Sequence, residues 1–156
     1  KIVKSRIVNF GCGKGHDAAF LAKKGHIVTG MDWSQEAIDE AKKIYADVPN
    51  LKFEQGDVFK SNLKADVVLE HTLFCAIDPA KRKELLLKYH QTLDVGGYLL
   101  GIFFVFPRRN GPPYGGSEWE LRSLLEKHFR LLYWKRWEKS PERRHGTELV
   151  VFAQKR

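Results

Sequence analysis

The chain has few of the residues that build disulfide-linked, membrane-spanning or metal-binding proteins. Its 156 residues include only two cysteines, Cys12 and Cys75, which excludes a disulfide framework and favours a reducing, cytoplasmic location. No apolar run approaches the roughly 18 residues that a membrane span needs, so no membrane partner is predicted. The six histidines are scattered without the spacing of a metal site, and we predict no metal.

Acidic residues are also fewer than basic ones. There are 19 Asp and Glu against 27 Lys and Arg, a formal net charge of +8. Such a charge permits anionic partners, including nucleic acid, but a solvated basic surface explains it equally and is the interpretation we favour. A chain of this length can bury a hydrophobic core without disulfides or metal ions to stabilise it, and we predict a single domain over residues 1–156.

What the chain does contain is an alternation of apolar strand patterns with helical patterns. Strands are predicted at residues 6–10, 25–31, 51–54, 65–69 and 98–106, with helices in most of the connections. Residues 129–137 and 147–153 form two further strand patterns with no helix between them, so they should pair as a hairpin. The pattern predicts an α/β fold: a doubly wound, mostly parallel seven-stranded sheet with a C-terminal antiparallel hairpin and helices on both faces.

Three glycines, Gly11, Gly13 and Gly15, lie between the first strand and the first helix. Glycine weakens both helices and strands, so three of them close together need a reason. A glycine-rich turn between a strand and a helix lets the backbone approach a ligand without side chains in the way. In a parallel sheet, the ligand lies outside the carboxyl ends of the strands, and the other site residues should follow strands too.

The residues that follow the second and third strands fit a nucleoside. Asp32 comes 21 residues after Gly11, and an acid there can accept hydrogen bonds from ribose hydroxyls. The alternative role for Asp32, a helix cap, is already filled by Ser34. We expect Trp33 and Val58 to pack on the base and Asp57 to accept from its amino group. A dinucleotide dehydrogenase is disfavoured because its fingerprint needs a small residue where His16 stands.

Three motifs then resemble one family. They are Gly-Cys-Gly-Lys-Gly-His-Asp at 11–17, Phe-Cys-Ala-Ile-Asp-Pro at 74–79 and Gly-Pro-Pro-Tyr at 111–114. Together with Asp32 and the Gly-Asp-Val-Phe at 56–59, they resemble class I S-adenosylmethionine-dependent methyltransferases, especially the thiopurine S-methyltransferase superfamily and its thiol and halide methyltransferase branch. The resemblance implies a Rossmann-like methyltransferase domain, and it leads us to expect that the N-terminal lid segment of the family is missing from this chain.

The resemblance also implies a cofactor, S-adenosylmethionine, with S-adenosylhomocysteine as the product and no metal. The glycines would pass beneath its methionine part, with Glu70 and His71 closing that side. Asn9 stands where most of these enzymes have an acid, so it adds no charge for the ammonium group. The implied cofactor-binding residues are Gly11, Gly13, Gly15, Asp32, Trp33, Asp57, Val58, Glu70 and His71.

The methyl acceptor implied by the resemblance is a small soft nucleophile, a thiol, thiolate or halide. Because the sulfonium methyl is already activated, aligning the two atoms and excluding water would suffice, and no catalytic residue is obligatory. The predicted acceptor pocket contains His71, Phe74, Cys75, Arg108, Arg109 and Tyr114. For most of these a plainer role stays open: Phe74 and Cys75 as core residues, the arginines as solvated loop charges, and His71 as a cap for local backbone.

Two other functions remain as alternatives. A nucleic-acid methyltransferase that modifies amino groups carries Asn/Asp-Pro-Pro-Tyr directly after its fourth strand. Here that place reads Glu-His-Thr-Leu at 70–73, and the Pro-Pro-Tyr follows the fifth strand instead, so the motif argues against nucleic acid as a partner. The second alternative is a truncated, non-catalytic domain that binds S-adenosylmethionine. The sequence predicts neither the identity of the acceptor nor the oligomeric state.

Overall fold

A computed structural model describes residues 3–156 and contains one seven-stranded sheet. The strands lie in the order β3-β2-β1-β4-β5-β7-β6. Strands β1 to β5 run parallel, whereas β7 runs antiparallel to both β5 and β6. Their bounds are β1 (Arg6–Phe10), β2 (Ile27–Asp32), β3 (Leu51–Gln55), β4 (Ala65–His71), β5 (Leu93–Phe104), β6 (Phe129–Arg136) and β7 (Glu148–Lys155). This arrangement confirms the predicted Rossmann-like α/β fold with its antiparallel hairpin.

Within residues 3–156, five α-helices connect the strands, and serine side chains cap the first turns of two of them. The Ser34 hydroxyl accepts from the Ala37 N–H at 3.2 Å, and the Ser117 hydroxyl accepts from the Glu120 N–H at 3.1 Å. The helices are α1 (His16–Lys23), α2 (Gln35–Ile44), α3 (Leu73–Ala76), α4 (Arg82–Thr92) and α5 (Glu118–Leu125). The described part of the chain also contains three 3₁₀ turns: Val58–Lys60, Pro79–Lys81 and Glu142–Arg144.

Several strand bounds differ from the sequence prediction by one or two residues, the start of β5 differs most, and one helix was not predicted. Strand β5 begins at Leu93 rather than at Tyr98, because Leu93 pairs with Ala65 and the chain continues through Gly97 against the Asp66 carbonyl. Helix α3 was not predicted, since four residues are too few to display a helical period.

The core lies on both faces of the sheet. On one face, α1 and α2 pack through Ala18, Ala22, Ile38 and Ala41. On the other, α4 and α5 bury a larger set of side chains, namely Leu85, Leu86, Tyr89, Leu121 and Leu125. With both faces covered in this way, the carboxyl ends of β1, β2 and β4 form one edge where the connecting loops diverge. Among residues 3–156, no helix has the length and apolar character for crossing a bilayer.

Candidate functional site

A cleft of about 640 Å³ opens at the carboxyl ends of β1, β2, β3 and β4. It brings together six of the residues predicted to bind the cofactor: Gly11, Gly13, Asp32, Trp33, Asp57 and Val58. The rest of the lining is mostly apolar or small and consists of Met31, Gly56, Phe59, Thr72, Leu73, Ala76 and Ile77. A long, partly apolar cleft with a few polar groups is typical of a small-molecule site.

The Asp32 carboxylate holds the glycine loop in place. Its Oδ2 accepts from the Gly13 N–H at 2.9 Å, and its Oδ1 accepts from the Ser34 N–H at 3.0 Å. Asp32 therefore joins the glycine loop to the start of α2.

Gly13 leaves space in the cleft. Its φ of +55° is a conformation that side chains rarely adopt, and a Cβ atom built there would meet nothing within 4 Å. Gly11 is different, because a Cβ on it would lie 2.9 Å from the Cβ of Leu73. Gly13 thus leaves the backbone open to a ligand, whereas Gly11 allows the backbone to pack closely against α3.

Gly15 does not line the cleft, although the resemblance implied that it binds the cofactor. It precedes α1, and a Cβ on it would lie 2.4 Å from the Phe53 ring. The visible reason for this glycine is therefore the close packing of the start of α1 against β3.

The far end of the cleft is suited to a flat ring. Trp33 is 81% exposed and lines the cleft together with Met31 and Val58. Asp57 uses its Oδ1 to accept from the Phe59 N–H at 2.9 Å, while its other carboxylate oxygen has no hydrogen-bond partner within residues 3–156. Met31 and Phe59 also line the cleft; neither was predicted as a site residue, although both stand next to residues that were.

Glu70 was predicted to close the methionine side, and the structure corrects this. Its side chain is fully buried, its Oε1 accepts from the Phe74 N–H at 2.9 Å, and its Oε2 accepts from the Tyr89 hydroxyl. Burial raises the pKa of the Glu70 carboxyl to about 7. Because side chains alternate along a strand, Glu70 points toward α4, whereas His71 points to the opposite face.

His71 lies at the end of β4 and forms a pair with Asp17 in the first turn of α1. The distance from the His71 Nδ1 to the Asp17 Oδ2 is 2.7 Å. The hydrogen bond raises the pKa of His71 and lowers the pKa of Asp17. His71 itself is not in the cleft lining, but Thr72 and Leu73, which follow it directly, are.

Phe74 and Cys75 were predicted to line the acceptor pocket, but the structure buries both. The Phe74 ring packs edge-on against Phe103, with ring centroids 5.3 Å apart, beneath the Arg82 guanidinium at 4.5 Å. Burial raises the pKa of the Cys75 thiol to about 11, so this thiol stays neutral near pH 7. Neither side chain lines the cleft, in agreement with the plainer role of core residues.

The loop that carries the predicted arginines is tied down beside the cleft. The Tyr114 N–H donates to the Cys75 carbonyl at 2.7 Å, and the Arg82 Nη2 donates to the Gly115 carbonyl at 2.8 Å. Arg108 and Arg109 are exposed. Arg108 borders a separate hollow between this loop and α5, and neither arginine nor Tyr114 lines the cleft itself. Arg82, which holds this loop, is almost fully buried and was not predicted from the sequence.

Sequence comparison gives similar proteins over most of the chain. The chain is 31% identical over 121 residues to "Probable thiol methyltransferase 2" of Arabidopsis thaliana, covering 74% of this chain and 54% of that protein. It is 31% identical over 110 residues to "Thiocyanate methyltransferase 1" of Brassica oleracea, covering 67% of this chain and 49% of that protein. The chain therefore spans about half the length of these relatives.

Solved structures share the fold. A SAM-dependent methyltransferase from Methanosarcina mazei superposes with a TM-score of 0.82 at 21% identity, over 99% of this chain and 94% of that one. TehB from Haemophilus influenzae gives a TM-score of 0.80 at 17% identity, over 99% of this chain and 59% of that one. At such identities the likeness establishes the fold alone.

The family is established by a match over nearly the whole sequence. The description of that family is "Thiopurine S-methyltransferase", and it matches residues 2–155. The match therefore covers both the residues that line the cleft, such as Asp32, and the buried segment at Phe74 and Cys75 that packs behind it. The chain belongs to the thiopurine S-methyltransferase family.

Proposed function

We propose that this chain is a methyltransferase that uses S-adenosylmethionine. The observation that carries the proposal is the cleft in which the Asp32 carboxylate holds an open glycine loop beside the exposed Trp33. The Asp32 oxygens keep lone pairs for two ribose hydroxyls. Trp33 and Val58 would cover the adenine, and the uncommitted oxygen of Asp57 would accept from its amino group. Gly13 would pass beneath the methionine part, where a side chain would occupy the space.

The proposed methyl acceptor is a small soft nucleophile, a thiol, thiolate or halide. The bound cofactor would supply a methyl group already activated on a sulfonium sulfur. The chain would then need to orient the acceptor and exclude water. Leu73 and Ile77 offer an apolar wall for a soft acceptor. The tethered loop that carries Tyr114 lies next to α3 and would cover the acceptor.

The proposal includes a single domain over residues 1–156 that works in the cytoplasm. Both cysteines are free thiols, as a reducing location requires. Small molecules, rather than nucleic acid, are the proposed partners. The Gly-Pro-Pro-Tyr segment follows β5. Its Tyr114 N–H donates to the Cys75 carbonyl in α3, and the Arg82 side chain of α4 donates to the Tyr114 carbonyl, which leaves the segment unsuited to the role that Asn/Asp-Pro-Pro-Tyr plays after a fourth strand.

Calorimetry and a substrate panel test the proposal. We expect S-adenosylhomocysteine to bind and NAD⁺ not to bind at the same protein concentration. With methyl-labelled S-adenosylmethionine, label should transfer to an alkyl thiol, iodide or thiocyanate and not to RNA. Tighter binding of NAD⁺ would refute the cofactor assignment. Cofactor binding with no transfer to any acceptor would favour a non-catalytic binding domain, and salt-sensitive transfer to RNA would favour the nucleic-acid alternative.

A further inference from the structure

An aspartate and a histidine that lie 54 residues apart in the sequence meet at the edge of the sheet where the cleft opens. Asp17 is in the first turn of α1, and His71 is the last residue of β4. They meet because β1 and β4 are neighbours in the sheet and the glycine loop carries the chain directly from β1 into α1. The Nδ1–Oδ2 distance of 2.7 Å is that of a strong, charge-assisted hydrogen bond.

The pair leaves one nitrogen of the ring available. The Asp17 carboxylate takes the Nδ1 side, so the neutral ring carries its proton on Nδ1 and its lone pair on Nε2. Within residues 3–156, Nε2 of His71 has no hydrogen-bond partner. The side chain is 30% exposed, and the next two residues, Thr72 and Leu73, line the cleft. A carboxylate–histidine pair with a free Nε2 at the mouth of a cleft is the arrangement of a general base.

We propose that His71 is the catalytic general base that removes the proton from a thiol acceptor, and that Asp17 is the residue that positions and polarises it. This rests on the proposed function and narrows the acceptor to a thiol that arrives protonated. The S–H bond breaks as its proton moves to Nε2 of His71, and the sulfur electron pair forms the new bond to the transferred methyl carbon. The electron pair of the old carbon–sulfur bond stays with the cofactor sulfur, and the imidazolium later returns its proton to solvent.

The electrostatic surroundings favour this role. The charged groups whose electrostatic effect reaches His71 are acidic: Asp17 from α1, Glu148 from β7 and Glu70, which precedes it in β4 and points to the other face. Glu148 is partly compensated by Arg144, whose Nε lies 3.1 Å from its Oε1. The resulting upward shift of the His71 pKa makes the imidazole a better base and stabilises the imidazolium after proton transfer.

The need for a base differs between acceptor classes. An alkyl thiol with a pKa near 8.5 is only a few per cent ionised at pH 7, so a base can supply most of the reactive thiolate. Iodide and thiocyanate are anions at every pH of interest and have no proton to lose. The proposed role therefore predicts a loss that depends on the acceptor, which a purely structural role for the pair would not produce.

The test compares His71→Asn and Asp17→Asn with the wild type on two acceptors, 2-mercaptoethanol and iodide, from pH 6 to pH 9.5. His145→Asn and Asp47→Asn are matched controls, because both side chains are exposed and make no hydrogen bond within residues 3–156. We expect His71→Asn to lower kcat/KM for the thiol at pH 7 by about 100-fold. The ratio of thiol to iodide turnover should fall at least tenfold. The thiol rate should recover at high pH, where the thiol ionises unaided.

A second measurement needs neither cofactor nor turnover. With ¹³C-labelled histidine, NMR titration should give a His71 pKa above the ordinary value, and Asp17→Asn should lower it while Asp47→Asn leaves it unchanged. A His71 pKa that does not respond to Asp17→Asn would overturn the positioning role of Asp17.

The outcomes separate this assignment from the proposed function. Equal losses on thiol and iodide, or a larger loss on iodide, would overturn the general base in favour of a cofactor or anion contact. Wild-type transfer to iodide but not to any thiol would overturn it as well and leave the methyltransferase function standing. Failure of the wild type to bind S-adenosylhomocysteine and to methylate either acceptor would refute the proposed function, and the general base with it.

Discussion

Asp32→Ala is expected to weaken cofactor binding and also to loosen the empty cleft. The wild-type carboxylate already accepts two backbone N–H groups, from Gly13 at 2.9 Å and from Ser34 at 3.0 Å. Removing it would release the glycine loop from the start of α2. The same change would remove the proposed acceptor for two ribose hydroxyls. Two separate losses should therefore appear in one variant, one without ligand and one with it.

The size of each loss follows from the hydrogen bonds involved. A hydrogen bond to a charged group contributes about 1.5–3 kcal/mol net. Both N–H groups are only partly buried, so water can replace the carboxylate, and we expect the free energy of unfolding of the empty protein to fall by about 1–3 kcal/mol. The loss of both ribose bonds should lower cofactor affinity by about 2–4 kcal/mol, or roughly 30- to 1000-fold.

The assay is a calorimetric titration with S-adenosylhomocysteine, combined with thermal melts of the empty proteins. Asp66→Ala is the matched control, because Asp66 also accepts a backbone N–H, from Arg6 at 2.8 Å, but does so at the amino end of β4. Asp66→Ala should lower the melting temperature and leave the affinity unchanged. A loss of affinity below threefold in a folded Asp32→Ala variant would refute the assignment of Asp32 to the ribose.

Three further changes have expected outcomes. Trp33→Ala should weaken S-adenosylhomocysteine binding roughly 5- to 30-fold, about 1–2 kcal/mol. Trp119→Ala is the control and should leave the affinity unchanged, because both side chains are about 80% exposed but only Trp33 lines the cleft. Equal affinities of the two variants in calorimetry would contradict this prediction. Gly13→Ala and Gly25→Ala should each lower the stability measured in melts by about 1 kcal/mol, because both glycines have positive φ. Only Gly13→Ala should also weaken the binding of S-adenosylhomocysteine. An unchanged affinity in Gly13→Ala would show that Gly13 is not part of the site. Glu70→Gln should flatten the dependence of stability on pH. The buried Glu70 carboxyl has a pKa of about 7 against an ordinary 4.5, so between these pH values the folded protein retains a proton that the unfolded chain releases. The wild type should therefore lose stability as the pH rises from 4.5 to 7, by at most about 3 kcal/mol. Parallel curves for wild type and Glu70→Gln in urea unfolding from pH 4 to pH 8 would contradict that reasoning.

The sequence predicted the elements and the edge of the sheet that holds the cleft. Local signals suffice for this, because apolar periodicity, glycine stops and the caps at Ser34 and Ser117 act within a few residues. The predicted nucleoside residues Asp32, Trp33 and Asp57 then met in one cleft, since the carboxyl ends of parallel strands lie at a common edge.

The sequence could not predict which way the side chains at the end of β4 point. Glu70 and His71 are neighbours that are both polar, and their order alone does not distinguish a buried side chain from one at the cleft mouth. Burial was decided by Tyr89 of α4, whose hydroxyl donates to Glu70 from across the core. The position of the loop that carries Arg108 could not be predicted for a similar reason. The loop is held by the hydrogen bond from Arg82 to the Gly115 carbonyl, and these two residues are 33 positions apart in the sequence.

By itself, the sequence determined the order of strands and helices, the open glycine loop and the carboxylate at the end of β2. Each of these depends on residue type and on spacing along the chain. Only the tertiary structure decided that Asp17 meets His71, that Glu70 and Cys75 are buried, and that Gly15 serves packing against Phe53. These outcomes depend on which strands are neighbours and how the helices pack on them, and long-range packing of this kind leaves no periodic signal in the sequence.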